Sequence, residues 1–228
     1  RIFFLFKSNP AFKIYFFFLR SKILNLFVKR KIISLKKKHE LLIKNKKITT
    51  NYFSSHSFNF YHYLCKLNSN FNYLEIGSYE GNSAIFVANN FKKSNIYCVD
   101  TWVKTNEYTN HISFSHVEDN FDFNTKEYKN IYKLKNTSDS FFIKNKVMYD
   151  AIYIDGYHLG TQVYKDCTNS WKFLKNKGFL ICDDYIRDFY NDIEDNPCYA
   201  INKFLKEING CYKIQKISNS QIFIKKIN

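Results

Sequence analysis

The chain has 228 residues, 45% of them apolar and 19% aromatic, enough for one well-buried domain with an appendage and too much for wholesale disorder. Its formal charge of +15 is uneven: residues 1–50 hold 14 Lys/Arg against the single acid Glu40, whereas the remaining 178 residues hold 21 Lys/Arg against 19 acids. A near-neutral domain (51–228) therefore follows a basic arm (1–50), and an enzyme that grips nucleic acid through bases around its cleft is disfavoured.

The arm reads as one or two basic, aromatic-rich helices broken near Asn9-Pro10. Lys7, Lys13, Arg20 and Lys22 interrupt its apolar stretch, which falls far short of the ~20 residues that span a bilayer. Two readings stand side by side. Either the helices pack on the domain or a partner subunit, or they form a peripheral anchor on the anionic inner face of a membrane. The run Ile14–Leu19 is too short for a signal peptide and no small-residue cleavage site follows it, so a cytoplasmic chain is expected. The chain opens on Arg1 rather than Met, so a preceding segment is also expected.

From residue 71 onward, short apolar runs alternate with helical stretches. Strands are predicted at Phe71–Ile76, Asn95–Val99, Ile131–Lys135, Tyr149–Ile154 and Gly178–Cys182. Helices are predicted at Ser83–Phe91, Val117–Tyr128, Ser138–Lys144 and Thr161–Leu174. The alternation predicts an α/β fold, a Rossmann-like, doubly wound and mostly parallel sheet. After a helix at Tyr199–Ile208, Gly210 breaks the chain, and Tyr212–Ser218 and Gln221–Ile227 predict a C-terminal antiparallel hairpin. The six cysteines form no CxxC pair and no zinc-like spacing, as expected of a reduced, intracellular protein.

Chemistry concentrates at predicted strand ends. Tyr73-Leu-Glu75-Ile-Gly77-Ser78-Tyr-Glu-Gly81-Asn82-Ser83 joins a strand to a helix whose first N–H groups are free to meet a ligand. Two glycines four apart read equally as an ordinary tight turn. Asp100, at the next strand end and followed by Thr101, is placed to reach ribose hydroxyls, although it also reads as a cap. Loop and acid together imply a nucleoside cofactor. The G-x-x-x-G spacing lacks the third glycine of pyrophosphate binders.

A second cluster comprises Asp155-Gly-Tyr-His158 and Asp183-Asp184. If their strands are neighbours, Asp155, Asp183 and Asp184 converge and suit Mg²⁺ or a similar hard cation. His158 is the candidate base and Asp155 its catalytic neighbour. The plainer reading has the acids capping a turn and His158 bonding a backbone carbonyl.

The segments "YLEIGSYEGNSA", "IYCVDTW", "NTSDSFF", "YDAIYIDGYHLGTQVYKDC" and "FLICDDY" resemble, in order and spacing, class I S-adenosylmethionine-dependent methyltransferases, in particular methyltransferase family 24. The resemblance covers residues 53 to the end. It implies that Glu75, Gly77 and Gly81 border the methionine moiety, that Asp100 binds ribose and that Ser138 and Asp139 lie near adenine. The candidate cofactor set is then Glu75, Gly77, Ser78, Gly81, Asn82, Ser83, Asp100, Thr101, Ser138, Asp139 and Asp155. The second cluster resembles that of catechol-type and macrolide-sugar O-methyltransferases, which implies a metal held by Asp155, Asp183 and Asp184. Where the catechol-type enzymes carry a catalytic lysine, this chain has His158.

The expected activity is O-methylation of a small hydroxylated molecule or a sugar or polysaccharide precursor. Two alternatives are a nucleic-acid methyltransferase using the basic arm and a non-catalytic, membrane-associated binding module. Against the former, the place after the fourth strand reads Asp155-Gly-Tyr-His158, whereas enzymes that methylate base nitrogens resemble one another in an Asn/Asp-Pro-Pro-aromatic motif. The oligomeric state stays open, a dimer included.

Overall fold

A computed structural model describes residues 8, 10, 12–103, 116–218 and 220–227. Helices α1 (Phe12–Phe27), α2 (Lys29–Leu42) and α3 (Ser57–Leu64) precede strand β1 (Asn72–Ile76). There follow α4 (Asn82–Asn90), β2 (Asn95–Asp100), α5 (Val117–Thr125), β3 (Ile131–Lys135), α6 (Ser138–Lys144) and β4 (Tyr149–Ile154). The chain ends with α7 (Gly160–Phe173), β5 (Leu174–Cys182), α8 (Pro197–Glu207), β6 (Tyr212–Ile217) and β7 (Ile222–Lys226).

The strands form one sheet in the order β3-β2-β1-β4-β5-β7-β6. Strands β1 to β5 run parallel, and β7 pairs antiparallel with both β5 and β6. This is the predicted Rossmann-like sheet with its C-terminal hairpin. The central strands are buried on both faces: Tyr73, Leu74, Ala151, Ile152, Leu180 and Ile181 each expose 0% of their surface. That is why they read as continuous apolar runs rather than alternating ones. One core lies between the sheet and α7/α8, with Ile152, Cys167, Leu180, Ile201 and Phe204 in it. The other, with Phe60, Phe86, Tyr153 and Phe223, lies on the opposite face.

Successive strands move outward from β1 to β3, and the chain then returns to place β4 on the other side of β1. The loops after β1 and β4 diverge at this switch point, which opens a crevice at the carboxyl edge. Backbone contacts fix the crevice floor: Asp155 N–H donates to Ile76 O at 2.8 Å and Gly77 N–H to Val99 O at 2.8 Å.

The arm is docked on the domain. Ile14 and Phe18 of α1 join the first core, and Ser21 Oγ accepts from Ile217 N–H at 3.1 Å. On the other side of the hairpin, His39 of α2 is 1% exposed between Phe53 and Phe86, and donates from Nε2 to Asn82 Oδ1 at 2.7 Å. The turn between the two helices falls at Val28. Asn9, half of the predicted break at Asn9-Pro10, lies outside the described residues, as do residues 104–114 of Thr101–Phe114, a segment the sequence offers as pocket lining.

Candidate functional site

The loop after β1 turns through two left-handed glycines, Gly77 (φ 86°) and Gly81 (φ 79°). At Gly77 the need is also steric. A Cβ there would lie 2.1 Å from the Asp155 carbonyl oxygen, so only glycine lets the β1 and β4 ends close on each other. Gly81 starts α4, which has no side-chain cap.

Asp100 organises the loop from below. Its Oδ2 accepts from the backbone N–H groups of Ser78 (2.9 Å) and Tyr79 (2.8 Å), and its Oδ1 from that of Trp102 (2.7 Å). Burial pushes this carboxyl upward, and the backbone donors oppose the shift. The capping role and the ribose role are compatible: a carboxylate has about four acceptor positions, three of which are in use here.

Glu75 is placed differently from the expectation. It is 0% exposed and lines neither cleft. The Tyr73 hydroxyl donates to Oε2 and the Ser83 hydroxyl to Oε1, both at 2.9 Å. Burial raises its carboxyl to about 7, although Ser83 and Tyr73 pull it down. Glu75 thus ties β1 to α4 beneath the loop.

Two clefts of about 310 Å³ each open at this edge. The first runs over β1 and β2 and is lined by Gly77, Asp100, Thr101, Ser138, Asp139 and Gln162, among others. Gln162 Nε2 donates to Ser138 Oγ (3.2 Å), Asp139 Oδ1 (3.3 Å) and Asp166 Oδ1 (3.1 Å), fixing the wall where adenine is expected. Burial raises Asp166 to about 6. The second cleft lies over β4 and β5 and contains Ser78, Asn82, Ser83, Asp155, His158, Asp183 and Asp184, with Tyr52, His56, Arg187 and Phe189 at its sides. Gly77, Tyr79 and Asp155 line both clefts, so the two meet there. Gly81 lines neither and packs near Phe121 and Thr125.

Of the three acids expected to hold a metal together, Asp183 turns away. Its Oδ1 accepts from Asp184 N–H at 2.8 Å, and its Oδ2 from Gln221 Nε2 at 2.7 Å and from the Tyr153 hydroxyl. The group whose ligand atoms lie within 4.8 Å of one another is Asp155, His158 and Asp184. Two carboxylates and an imidazole form a donor set that suits a divalent cation. Yet Asp184 is already matched: His158 Nε2 is 2.9 Å from its Oδ2 and Arg187 Nε is 3.3 Å from its Oδ1. Asp184 holds this position in a left-handed conformation (φ 51°), uncommon outside glycine. The His158 ring stacks on Phe189 with centroids 4.2 Å apart.

Tyr153 bridges the acids. Its hydroxyl faces Asp155 Oδ2 at 2.8 Å and also Asp183 Oδ2. One hydroxyl has one proton to give, so two ionised oxygens facing it would repel. Burial, then Asp183 and Asp184, push the Asp155 carboxyl well above its ordinary range, with His158 opposing. Asp183 is raised by burial, while His56 pulls it down. A shared proton, or a cation in its place, would relieve this repulsion. Tyr153 was legible in principle, since it lies two residues before Asp155 on the same strand face. Arg187 and Phe189 fall in Tyr185–Pro197, a segment the sequence offers as pocket lining without orienting it, whereas no pattern singled out Gln162.

Residues 74–185 match a family model described as a methyltransferase domain, that of methyltransferase family 24. A sequence comparison with curated proteins returns no match. Among solved structures, an O-methyltransferase from Bacillus cereus in complex with S-adenosylhomocysteine superposes with a TM-score of 0.56 at 12% identity, over 93% of this chain and 99% of that one. MycE methyltransferase of the mycinamycin pathway, in complex with Mg, S-adenosylhomocysteine and mycinamycin VI, gives 0.61 at 14% identity, over 85% of this chain and 55% of its own. A candidate rRNA-methylase from Clostridium thermocellum gives 0.58 at 12% identity, over 79% and 100%. At such identities the likeness is one of fold, shared by enzymes with different acceptors. The family match takes in the loop, Asp100 and both acid motifs, so residues 74–185 are similar to the family 24 methyltransferase domain, and the chain is an S-adenosylmethionine-dependent methyltransferase.

Proposed function

We propose that the chain transfers a methyl group to a hydroxyl oxygen of a small molecule or of a sugar or polysaccharide precursor. The observation that carries this reading is the junction of the clefts at Gly77 and Asp155, with His158 and Asp184 on the acceptor side. S-adenosylmethionine, when bound, supplies an electrophilic methyl group. The first cleft fits it in chemistry, since Asp100 and Asp139 accept from hydroxyl or amino groups, and the uncapped α4 N-terminus, which faces the adjoining second cleft, offers N–H donors to a carboxylate reaching across the junction.

On the acceptor side the residues align a hydroxyl, exclude water and remove a proton. His158, with Nε2 2.9 Å from Asp184 Oδ2, is the group that takes the proton. Asp184 and the Phe189 stack hold the ring in place. A second reading rests on the Asp155–His158–Asp184 group, in which these residues would hold a divalent cation that polarises the hydroxyl. The two readings use His158 in exclusive ways. An RNA acceptor is disfavoured by the four acids of the cleft, Glu80, Asp155, Asp183 and Asp184, which would repel phosphate.

Calorimetry with S-adenosylmethionine, with and without Mg²⁺, separates the two readings. Heat of cofactor binding that is indifferent to Mg²⁺, with no Mg²⁺ binding of its own, supports the base. Saturable Mg²⁺ binding that is lost in Asp155→Asn supports the cation. With an acceptor in hand, His158→Ala is expected to lower kcat about 100-fold or more and to remove its rise from acid to neutral pH. An unchanged pH profile would exclude His158 as base.

A further inference from the structure

Helix α1 has two apolar faces, and the domain covers one. Ile14 and Phe18 are 0% and 4% exposed, and Ser21 and Asn25 on the same side bond β6 residues Ile217 and Lys216. At about 100° per residue, Phe16, Leu19, Ile23, Leu26 and Phe27 fall on the opposite side. They are 62%, 59%, 57%, 73% and 82% exposed, and Leu24 at 46% extends the patch. Scattered exposed apolar residues are ordinary, whereas a stripe along about three turns of one helix marks an interaction surface.

The charges beside it indicate the partner. Arg20, Lys22, Lys29, Arg30, Lys31 and Lys36 are all exposed on α1 and α2. The acid of this stretch, Glu40, lies 3.7 Å from Lys36. Among the described residues no helix is long and apolar enough to cross a membrane. An apolar stripe flanked by bases, on a helix already fastened by its other face, fits the interface of a bilayer bearing anionic lipid. We infer that α1 lies in the plane of such a bilayer as the docking surface of the protein.

The placement also orients the active site. Lys13, near the start of α1, bonds Asn209 Oδ1 at 3.2 Å and sits 4.2 Å over the Tyr212 ring at the start of β6. Ser21, two turns on, is at Ile217 where β6 ends. The helix therefore runs up β6 and delivers Leu24–Phe27 to the carboxyl edge, beside the hairpin turn whose Ser220 lines the acceptor cleft. A bilayer holding α1 lies alongside the mouth of that cleft.

The test is co-sedimentation of the full chain with phosphatidylcholine vesicles, with and without phosphatidylglycerol. Binding to the anionic vesicles is expected to be at least about tenfold tighter, and to be lost in the variant Leu19→Ser/Ile23→Ser/Phe27→Ser. Calorimetry with S-adenosylhomocysteine, unchanged in that variant, shows the domain intact and keeps this outcome separate from the methyltransferase reading. Absence of binding to either vesicle, equal binding to both, or undiminished binding by the variant would overturn the inference. So would light scattering that shows a dimer dissociated by the same three substitutions, since the stripe would then face a second copy.

Discussion

On the β1–β2 side of the switch point the cleft is organised by backbone: a loop turning through two left-handed glycines and N–H groups gathered on Asp100. On the β4–β5 side it is organised by ionisable side chains, in which Tyr153 bridges Asp155 and Asp183, His158 meets Asp184, and Arg187 adds a charge. Backbone geometry serves a ligand that is always the same. Side-chain chemistry serves a reaction, and it can be retuned by a neighbouring loop. On the proposed reading, the donor half is fixed by shape and the acceptor half by its ionisable side chains.

The comparison breaks most readily at Gly77. Gly77→Ala sets a Cβ 2.1 Å from the Asp155 carbonyl oxygen at a φ of 86°. The expected cost is more than about 3 kcal/mol, seen as loss of S-adenosylhomocysteine binding and a lowered denaturation midpoint. Ordinary affinity in this variant would show that shape does not govern the donor half.

Asp100→Asn comes next. The amide turns an N–H₂ toward groups that are themselves donors, at a cost of about 1–3 kcal/mol. Both stability and cofactor affinity should fall, the latter about tenfold to a hundredfold. A fall in affinity alone would mean that Asp100 acts only on the ligand, and that the loop holds without it.

The smallest effect is at Glu75. Its carboxyl titrates near 7 in the fold and lower when unfolded, so between those values the folded chain binds the extra proton. Stability from this group is complete at acid pH and declines as pH rises toward 7. Glu75→Gln should remove that decline. Thermal melts of parent and variant at pH 5 and pH 8 would show the variant gaining relative to the parent at the higher pH. A constant difference would place the titration elsewhere.

Much of the fold was legible because parallel strands buried on both faces leave apolar runs, as Ala151–Ile154 does. The weaker edges were less so. Strand β5 begins at Leu174 rather than Gly178, because its first residues Lys175 and Lys177 are polar and carry no strand signature. Asp100 and the acid motifs were legible from their place at strand ends. Which way Asp183 points was not, since that depends on Gln221 reaching across from the hairpin. The docking of the arm was hidden for a similar reason: Ile14, Phe18 and His39 are spaced like any helical residues, and their partners lie on elements far along the chain.

The contact between Gly77 and the Asp155 carbonyl joins donor and acceptor sides through main chain alone. No side chain mediates it, so substitutions in the loops bearing Tyr52, Arg187 or Phe189 leave the alignment of the two clefts untouched. Such a scaffold lets the acceptor drift from one compound to another across evolution, or be redirected by engineering, while the methyl donor keeps its seat.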